Sequence, residues 1–184
     1  DLRAAVPRLL ADLPSVRVVT ANLHPEHKAV LEGDTEIALT PRTMLPMRVG
    51  DVTLQLGPRS FFQTNTTVAA ALYRQARDWI DLASPAVVWD LYCGVGGFAL
   101  HAVSAGRAVV GVETSSDAVA AARASLATMP DAGSVEFVVG VAHEHSGDGG
   151  AIVQTGHIGF IIVADAGAGI EDGNVERLLG QLAA

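Results

Sequence analysis

Val87-Val88-Trp89-Asp90-Leu91-Tyr92-Cys93-Gly94-Val95-Gly96-Gly97-Phe98-Ala99-Leu100 is the stretch whose reading decides the fold. An apolar run ends in an acid, breaks into a glycine loop and resumes as an apolar, helix-like segment. That order predicts a strand, a tight turn and a helix N-terminus. The glycines leave room for a ligand at the backbone, and the free N–H groups of the helix start face it. About 20 residues past the first glycine, Val109-Val110-Gly111-Val112-Glu113 predicts a second strand ending in a carboxylate, placed in a βαβ unit to accept hydrogen bonds from ribose hydroxyls. The unit suits an adenosyl or nucleotide ligand. Spacing alone does not name it, because Gly94-Val95-Gly96-Gly97-Phe98-Ala99 also satisfies the dinucleotide pattern G-x-G-x-x-A, and a structural turn can carry the same glycines.

Outward from this unit the chain keeps alternating. Strands are predicted near 86–91, 108–112, 135–139 and 158–163, and helices near 97–105, 116–128 and 174–183. The alternation implies parallel strands with right-handed crossovers. Before it, Thr66 to Leu82 is predicted helical, with Asn65 as N-cap and Val68, Leu72, Ala76, Trp79 and Ile80 on one face. The first 57 residues follow another pattern. A helix from Leu2 to Leu13 precedes a strand Val16–Leu23. The strands Lys28–Glu32 and Thr35–Leu39 are expected to pair across the Gly33-Asp34 turn, and Val52–Leu56 is a fourth strand closed by Gly57-Pro58. This is an α+β arrangement with a thin core. Val141 to His157 is poor in apolar residues and rich in Gly and His, and is predicted to be a loop.

The hydrophobic fraction of 49% and charged fraction of 17% suit a folded α/β core rather than disorder. No apolar run approaches the roughly 18 residues that cross a bilayer, so no membrane partner is expected and a cytoplasmic protein is the default. One cysteine excludes an internal disulfide framework and a cysteine-based metal site. The net charge of −8 argues against a polyanion partner for the chain as a whole, but the charge is uneven. Residues 1–80 carry nine Arg/Lys against eight acids, and residues 81–184 three against twelve. Nucleic acid, if bound, belongs to the first part. An ordinary solvated surface carries the same arginines. His143, His145 and His157, with Glu144 and Asp148, lack a convincing ligand spacing, so no metal is expected.

Gly57-Pro58-Arg59-Ser60-Phe61-Phe62-Gln63-Thr64-Asn65, one helix upstream of Asp90-Leu91-Tyr92-Cys93-Gly94-Val95-Gly96-Gly97-Phe98, closely resembles the RNA (uracil-5-)-methyltransferases, in particular the branch acting on a uridine of 23S ribosomal RNA. The resemblance runs from about Asp1 to about Gly140. It implies an incomplete Rossmann-like S-adenosylmethionine-dependent methyltransferase sheet over residues 58–184, lacking its C-terminal strands, preceded by a small, partial α+β domain over residues 1–57 that faces ribosomal RNA. The implied cofactor is S-adenosyl-L-methionine, and the implied reaction is methylation of carbon 5 of a uridine.

The resemblance also gives site residues. The family's matching glutamine contacts the cofactor, which points to Gln63; as a bare residue it equally stabilises a turn. Tyr92 stands where the family has an aromatic beside the cofactor, or is a half-buried aromatic with a wet hydroxyl. Gly94 and Gly96 line the loop, and Glu113 is the ribose acceptor by both arguments. The family carries an Asp/Asn-Pro-Pro-Arg-Arg-Gly run at the end of the fourth strand. Here Ile161-Ile162-Val163-Ala164-Asp165-Ala166 stands there, so Asp165 replaces the acid with a one-residue shift, or Ala164 leaves nothing. An acid often found after the third strand is replaced by Val141. The family's nucleophilic cysteine sits in a later Ser-Cys-Asn-Pro-like segment that this sequence does not contain. Cys93 reads as structural, and no catalytic residue is assigned. The competing function is a non-catalytic cofactor- or RNA-binding module of the same fold. A nicotinamide-dependent oxidoreductase rests on the glycine spacing alone. The strand His157–Val163 is expected beside the first glycine-loop strand, with its outer edge open to self-association.

Overall fold

The computed structural model describes residues 2–24, 33–130, 132–140 and 160–164. Its centre is a sheet of β5 (Val87–Leu91), β6 (Ala108–Glu113), β7 (Ser134–Val139) and β8 (Phe160–Ala164), in the order β7-β6-β5-β8. β5, β6 and β7 are parallel, with Val87 opposite Ala108 and Ala108 opposite Ser134, a Rossmann-like arrangement. The two strands that carry the glycine loop and Glu113 are therefore neighbours, and both end at the same sheet edge. Glu113 closes its strand opposite Val139.

β8 lies beside β5 as the sequence predicts, but antiparallel, pairing Phe160 with Leu91 and Ala164 with Val87. The expected parallel direction is corrected here. A parallel return needs a crossover of a dozen or more residues, usually a helix. The sequence between β7 and β8 has no helical pattern, so nothing in it enforces that crossover. β8 starts at the edge where β7 ends.

Helix α2 (Thr66–Ala83) starts as predicted, with Asn65 Oδ1 accepting from the Val68 N–H at 3.1 Å. It stops at Ser84, whose left-handed φ of 49° and N–H bond to the Ile80 carbonyl, 2.8 Å, close the last turn. Its buried face is Ala69, Tyr73, Ala76 and Ile80, so Ala76 and Ile80 are buried as predicted while Val68, Leu72 and Trp79 are not. Val68, Leu72 and Trp79 are about half exposed or more. Side-chain size misled the reading: the small Ala69 and Ala76 let the helix approach closely, and the Tyr73 ring then packs edge-on to Phe98 at 4.8 Å and stacks on His101 at 4.7 Å. Those two partners belong to the short helix α3 (Gly97–His101), so α2 braces the start of the glycine-loop helix. Helix α4 (Ser116–Leu126) follows β6, N-capped by Ser115 Oγ accepting from the Ala118 N–H at 3.2 Å.

The first part is two ribbons rather than one sheet. After helix α1 (Leu2–Asp12), β1 (Thr20–Leu23) pairs antiparallel with β2 (Thr35–Ala38). β1 is shorter than predicted because the Val19 N–H turns to Thr40 Oγ1, 3.1 Å away. The expected partner of β2, Lys28–Glu32, lies outside the described residues; among the described residues β2 is held by β1. Asn22 fixes this pairing: its Oδ1 accepts from the Gly33 N–H at 2.7 Å and its Nδ2 donates to Glu36 at 2.8 Å.

The second ribbon joins β3 (Leu45–Val49) to β4 (Val52–Leu56) across Gly50-Asp51, with Gly50 at a φ of 57° that favours glycine. β3 is absent from the sequence reading because Pro46 argues against a strand; β3 has only β4 beside it, and an edge strand tolerates proline. The hairpin packs into the main core: Val49, Val52 and Leu54 cluster with Val88, Ala99 and Val119. Burying Leu54 completely is worth about 1.5–3 kcal/mol. Two polar ties add to this. The Gln55 N–H donates to Ser125 Oγ of α4 at 2.8 Å, and the buried His101 ring has Nε2 3.0 Å from the Val49 carbonyl and Nδ1 2.7 Å from the Gly97 carbonyl. Among the described residues, no helix is long and apolar enough to cross a membrane.

Candidate functional site

The loop from Tyr92 to Gly97 leaves β5 and enters α3. Tyr92 has a φ of +65°, rare for a residue with a Cβ and costly by about 1–3 kcal/mol. The strain is held by the bonds that follow. The Cys93 N–H donates to the Val112 carbonyl at 3.0 Å, the Gly96 N–H to the Cys93 carbonyl at 2.8 Å, and the Gly94 N–H to Glu113 Oε2 at 3.1 Å. The loop is therefore set by the protein itself before any ligand arrives.

The glycines divide by what a side chain would meet. At Gly94, φ +55°, an added Cβ would find nothing within 4 Å, so the backbone there borders open space. At Gly96, φ +82°, it would lie 2.9 Å from the Phe137 ring and 3.2 Å from Ala122. At Gly97 it would meet the Tyr73 hydroxyl at 2.5 Å, and at Gly111 the Phe137 ring at 2.5 Å and Cys93 Sγ at 2.9 Å. Only Gly94 leaves the approach open to a ligand. The other three admit Tyr73 and Phe137, which seat α2 and β7 against the loop.

Glu113 stands where the sequence places it, at the end of β6 beside the loop. Oε1 accepts from the Ser115 N–H at 2.9 Å and the Thr114 hydroxyl at 3.0 Å, while Oε2 accepts from Gly94. A carboxylate offers about four acceptor positions. Three are used internally, which leaves one on Oε2, next to Gly94, for an incoming hydroxyl.

Asp90 is the residue that sequence reading left out of the site. It is 1% exposed; Oδ2 accepts from the Ala99 N–H at 2.8 Å, while Oδ1 has no partner. Gly96 cannot cap α3 with a side chain, and Asp90 does so from the strand below. Burial, with the Glu113 charge adding and the Ala99 bond opposing, pushes its carboxyl up to about 7. The signal was available: an acid inside Val87-Val88-Trp89-Asp90-Leu91 must be buried, and buried acids are rare without a purpose.

Cys93 is buried. Burial first, then the charges of Asp90 and Glu113, push its thiol far up, which suppresses the thiolate needed for nucleophilic attack. Gln63 is exposed in the loop just before α2. Asp165, Val141 and the three histidines at 143, 145 and 157 lie outside the described residues. Among the described residues, no group of three His, Cys, Asp or Glu could hold a metal ion. Of the arginines in the first part, Arg59 pairs with Asp117 at 2.7 Å, and Arg77 and Arg8 lie 3.6 Å from Asp51 and Asp12. Arg17 and Arg42 line an open cleft of about 430 Å³ beside Leu10 and Pro14 of the first segment.

Comparison with known proteins bears on this geometry. No protein-family profile matches the chain. It is 52% identical over 125 residues to the 23S rRNA (uracil(747)-C(5))-methyltransferase of Cronobacter sakazakii, covering 68% of this chain and 33% of that protein. The corresponding enzyme of Salmonella arizonae is 50% identical over 129 residues, 70% of this chain and 34% of that protein. The chain thus spans about a third of the length of the curated relatives it matches. Among solved structures, the Pyrococcus abyssi tRNA (uracil-54, C5)-methyltransferase in complex with S-adenosyl-L-homocysteine superposes with a TM-score of 0.59 at 26% identity, over 72% of this chain and 32% of that one.

Proposed function

From the premise that this chain belongs to the RNA (uracil-5-)-methyltransferase family, we propose that it carries the S-adenosyl-L-methionine site of an enzyme that methylates carbon 5 of a uridine in 23S ribosomal RNA. The observation that carries this reading is the bond across 19 residues from the Gly94 N–H to Glu113, which leaves one carboxylate position open beside an uncovered glycine. The residues suit the cofactor. Glu113 accepts from a ribose hydroxyl, Tyr92, Gly94 and Gly96 form the loop that the adenosyl group lies over, and Gln63 meets the amino-acid end. Asp165 stands for the family's acid after the fourth strand. The cofactor supplies a methyl group on a sulfonium sulfur; the protein's part is to hold it and exclude water. Calorimetric titration with S-adenosylhomocysteine tests the reading: a saturable one-to-one isotherm is expected, and no heat at millimolar ligand would overturn it.

A second reading has its own observation. The Cys93 thiol is buried with a suppressed thiolate, as in a module that binds cofactor or RNA without catalysing transfer. RNA containing 5-fluorouracil, offered to the full-length protein, separates the two, because the enzyme traps it covalently and the module does not. Ribosomal RNA is the partner in either reading, held by the first part through such groups as Arg17 and Arg42, and the cytoplasm is the place of action. The outer side of β8 has no strand beside it among the described residues, which supports self-association through that edge. Sedimentation over a range of concentrations tests it, and a monomer throughout would reject it.

A further inference from the structure

Asp90 has a feature that capping α3 does not require. One carboxylate oxygen takes the Ala99 N–H, and the other is buried with no donor among the described residues. A bare carboxylate oxygen in such a place is costly, so it holds a proton or awaits a positive charge. The ionisable groups that act on it or feel it are Glu113 from β6, Cys93 from the loop and Tyr73 from α2, and all three are acids. His101 of α3 turns both ring nitrogens to the carbonyls of Gly97 and Val49. Among the described residues, two carboxyl groups lie under the loop and no cation acts on Asp90.

We propose that Asp90 makes this site discriminate a sulfonium cation from its neutral thioether counterpart, by giving up a proton when the cation binds and taking it back when the cation's charge is lost. The inference rests on the cofactor reading above and extends it to how the methyl donor is preferred over its spent form. S-adenosylmethionine and S-adenosylhomocysteine share the adenosyl and amino-acid groups and differ by one methyl and one charge. A positive charge nearby favours the ionised carboxylate, whereas the thioether leaves the neutral acid in place. Transfer of the methyl group would therefore return a proton to Asp90 and loosen the product. Here Asp90 is a positioning and specificity residue; it need not touch the methyl group.

The test is calorimetry of both ligands at pH 6 and pH 8, each in two buffers of different ionisation heat, with wild type and Asp90→Asn. A group near 7 that must ionise weakens binding about elevenfold at pH 6 and hardly at pH 8. The preference for the sulfonium over the thioether should therefore rise about tenfold between those pH values, with proton release seen only for the sulfonium. Asp90→Asn keeps an acceptor for the Ala99 N–H and places an uncharged NH₂ where the proton was. It should fold and bind the thioether, and its preference should be flat with pH. The α-amino groups of both ligands titrate too, and the variant subtracts that background. A wild-type preference that does not change with pH, or the same change in Asp90→Asn, overturns the proposal. If neither ligand binds, the cofactor reading falls and this inference with it. Binding of both without linked protons overturns the inference alone.

Discussion

Glu113→Ala separates a ligand-binding role from a loop-holding one, because the structure gives the carboxylate three bonds of its own. The Gly94 N–H is half-buried and loses its acceptor, while the Ser115 N–H and Thr114 hydroxyl are exposed and return to water. The first loss should cost about 1–3 kcal/mol of stability, and the other two a few tenths. Binding should suffer separately. Losing a hydrogen bond to a charged acceptor is worth about 1.5–3 kcal/mol, or roughly 10- to 150-fold in Kd. Glu113→Gln refines the reading, since its single amide oxygen cannot serve Gly94 and Ser115 together. Thermal denaturation measures the stability cost, and calorimetry with S-adenosylhomocysteine, well below the melting point, measures the affinity. If Glu113→Ala melts early but binds as wild type, the carboxylate is only a tie across the loop and the ribose assignment is refuted.

Gly111→Ala places a Cβ 2.5 Å from the Phe137 ring and should destabilise the fold by about 1–3 kcal/mol; an unchanged melting temperature would show that Phe137 moves aside freely. Cys93→Ser should leave thioether affinity within about twofold and cost at most about 2 kcal/mol of stability; loss of binding in a folded protein would assign the thiol to the ligand. Asp90 binds its proton more tightly folded than unfolded, so its contribution is full below the ordinary value of 3.8 and is lost as pH rises through about 7. The melting temperature should therefore fall between pH 5 and pH 8, and Asp90→Asn should remove most of that fall.

The alternating half of the fold was legible because it is periodic. β5, β6, β7, α4 and the Asn65 cap lie within a residue or two of their predicted places. What failed depended on contacts far away in sequence. β2 pairs with β1, and Asn22 fixes that contact by gripping both Gly33 and Glu36. α2 leaves Val68, Leu72 and Trp79 exposed because its inward face is the one that seats Tyr73 on Phe98 and His101 of α3. The direction of β8 was not encoded in its own residues at all; it depends on how the preceding segment returns.

The glycine loop was legible in outline and ambiguous in detail for one physical reason. Glycine appears in a sequence both where a ligand needs the backbone and where a neighbouring side chain needs the space, and spacing does not distinguish them. Here the two uses are interleaved. Of the loop glycines, Gly94 borders open space among the described residues, while Gly96 and the neighbouring-strand Gly111 make room for one ring, Phe137, and Gly97 for another, Tyr73. The pattern that resembled a dinucleotide loop is thus one glycine beside open space among packing glycines, and packing imposes no choice of cofactor. The residues that do choose are polar and placed by the strands. Glu113 keeps one acceptor position free beside Gly94, and Asp90 keeps one buried oxygen unpartnered beneath the loop. Two such carboxyl groups, with no cation acting on Asp90 among the described residues, suit a ligand that brings hydroxyl groups and a positive charge. A nicotinamide dinucleotide would add its pyrophosphate to those acids, whereas a sulfonium nucleoside meets both.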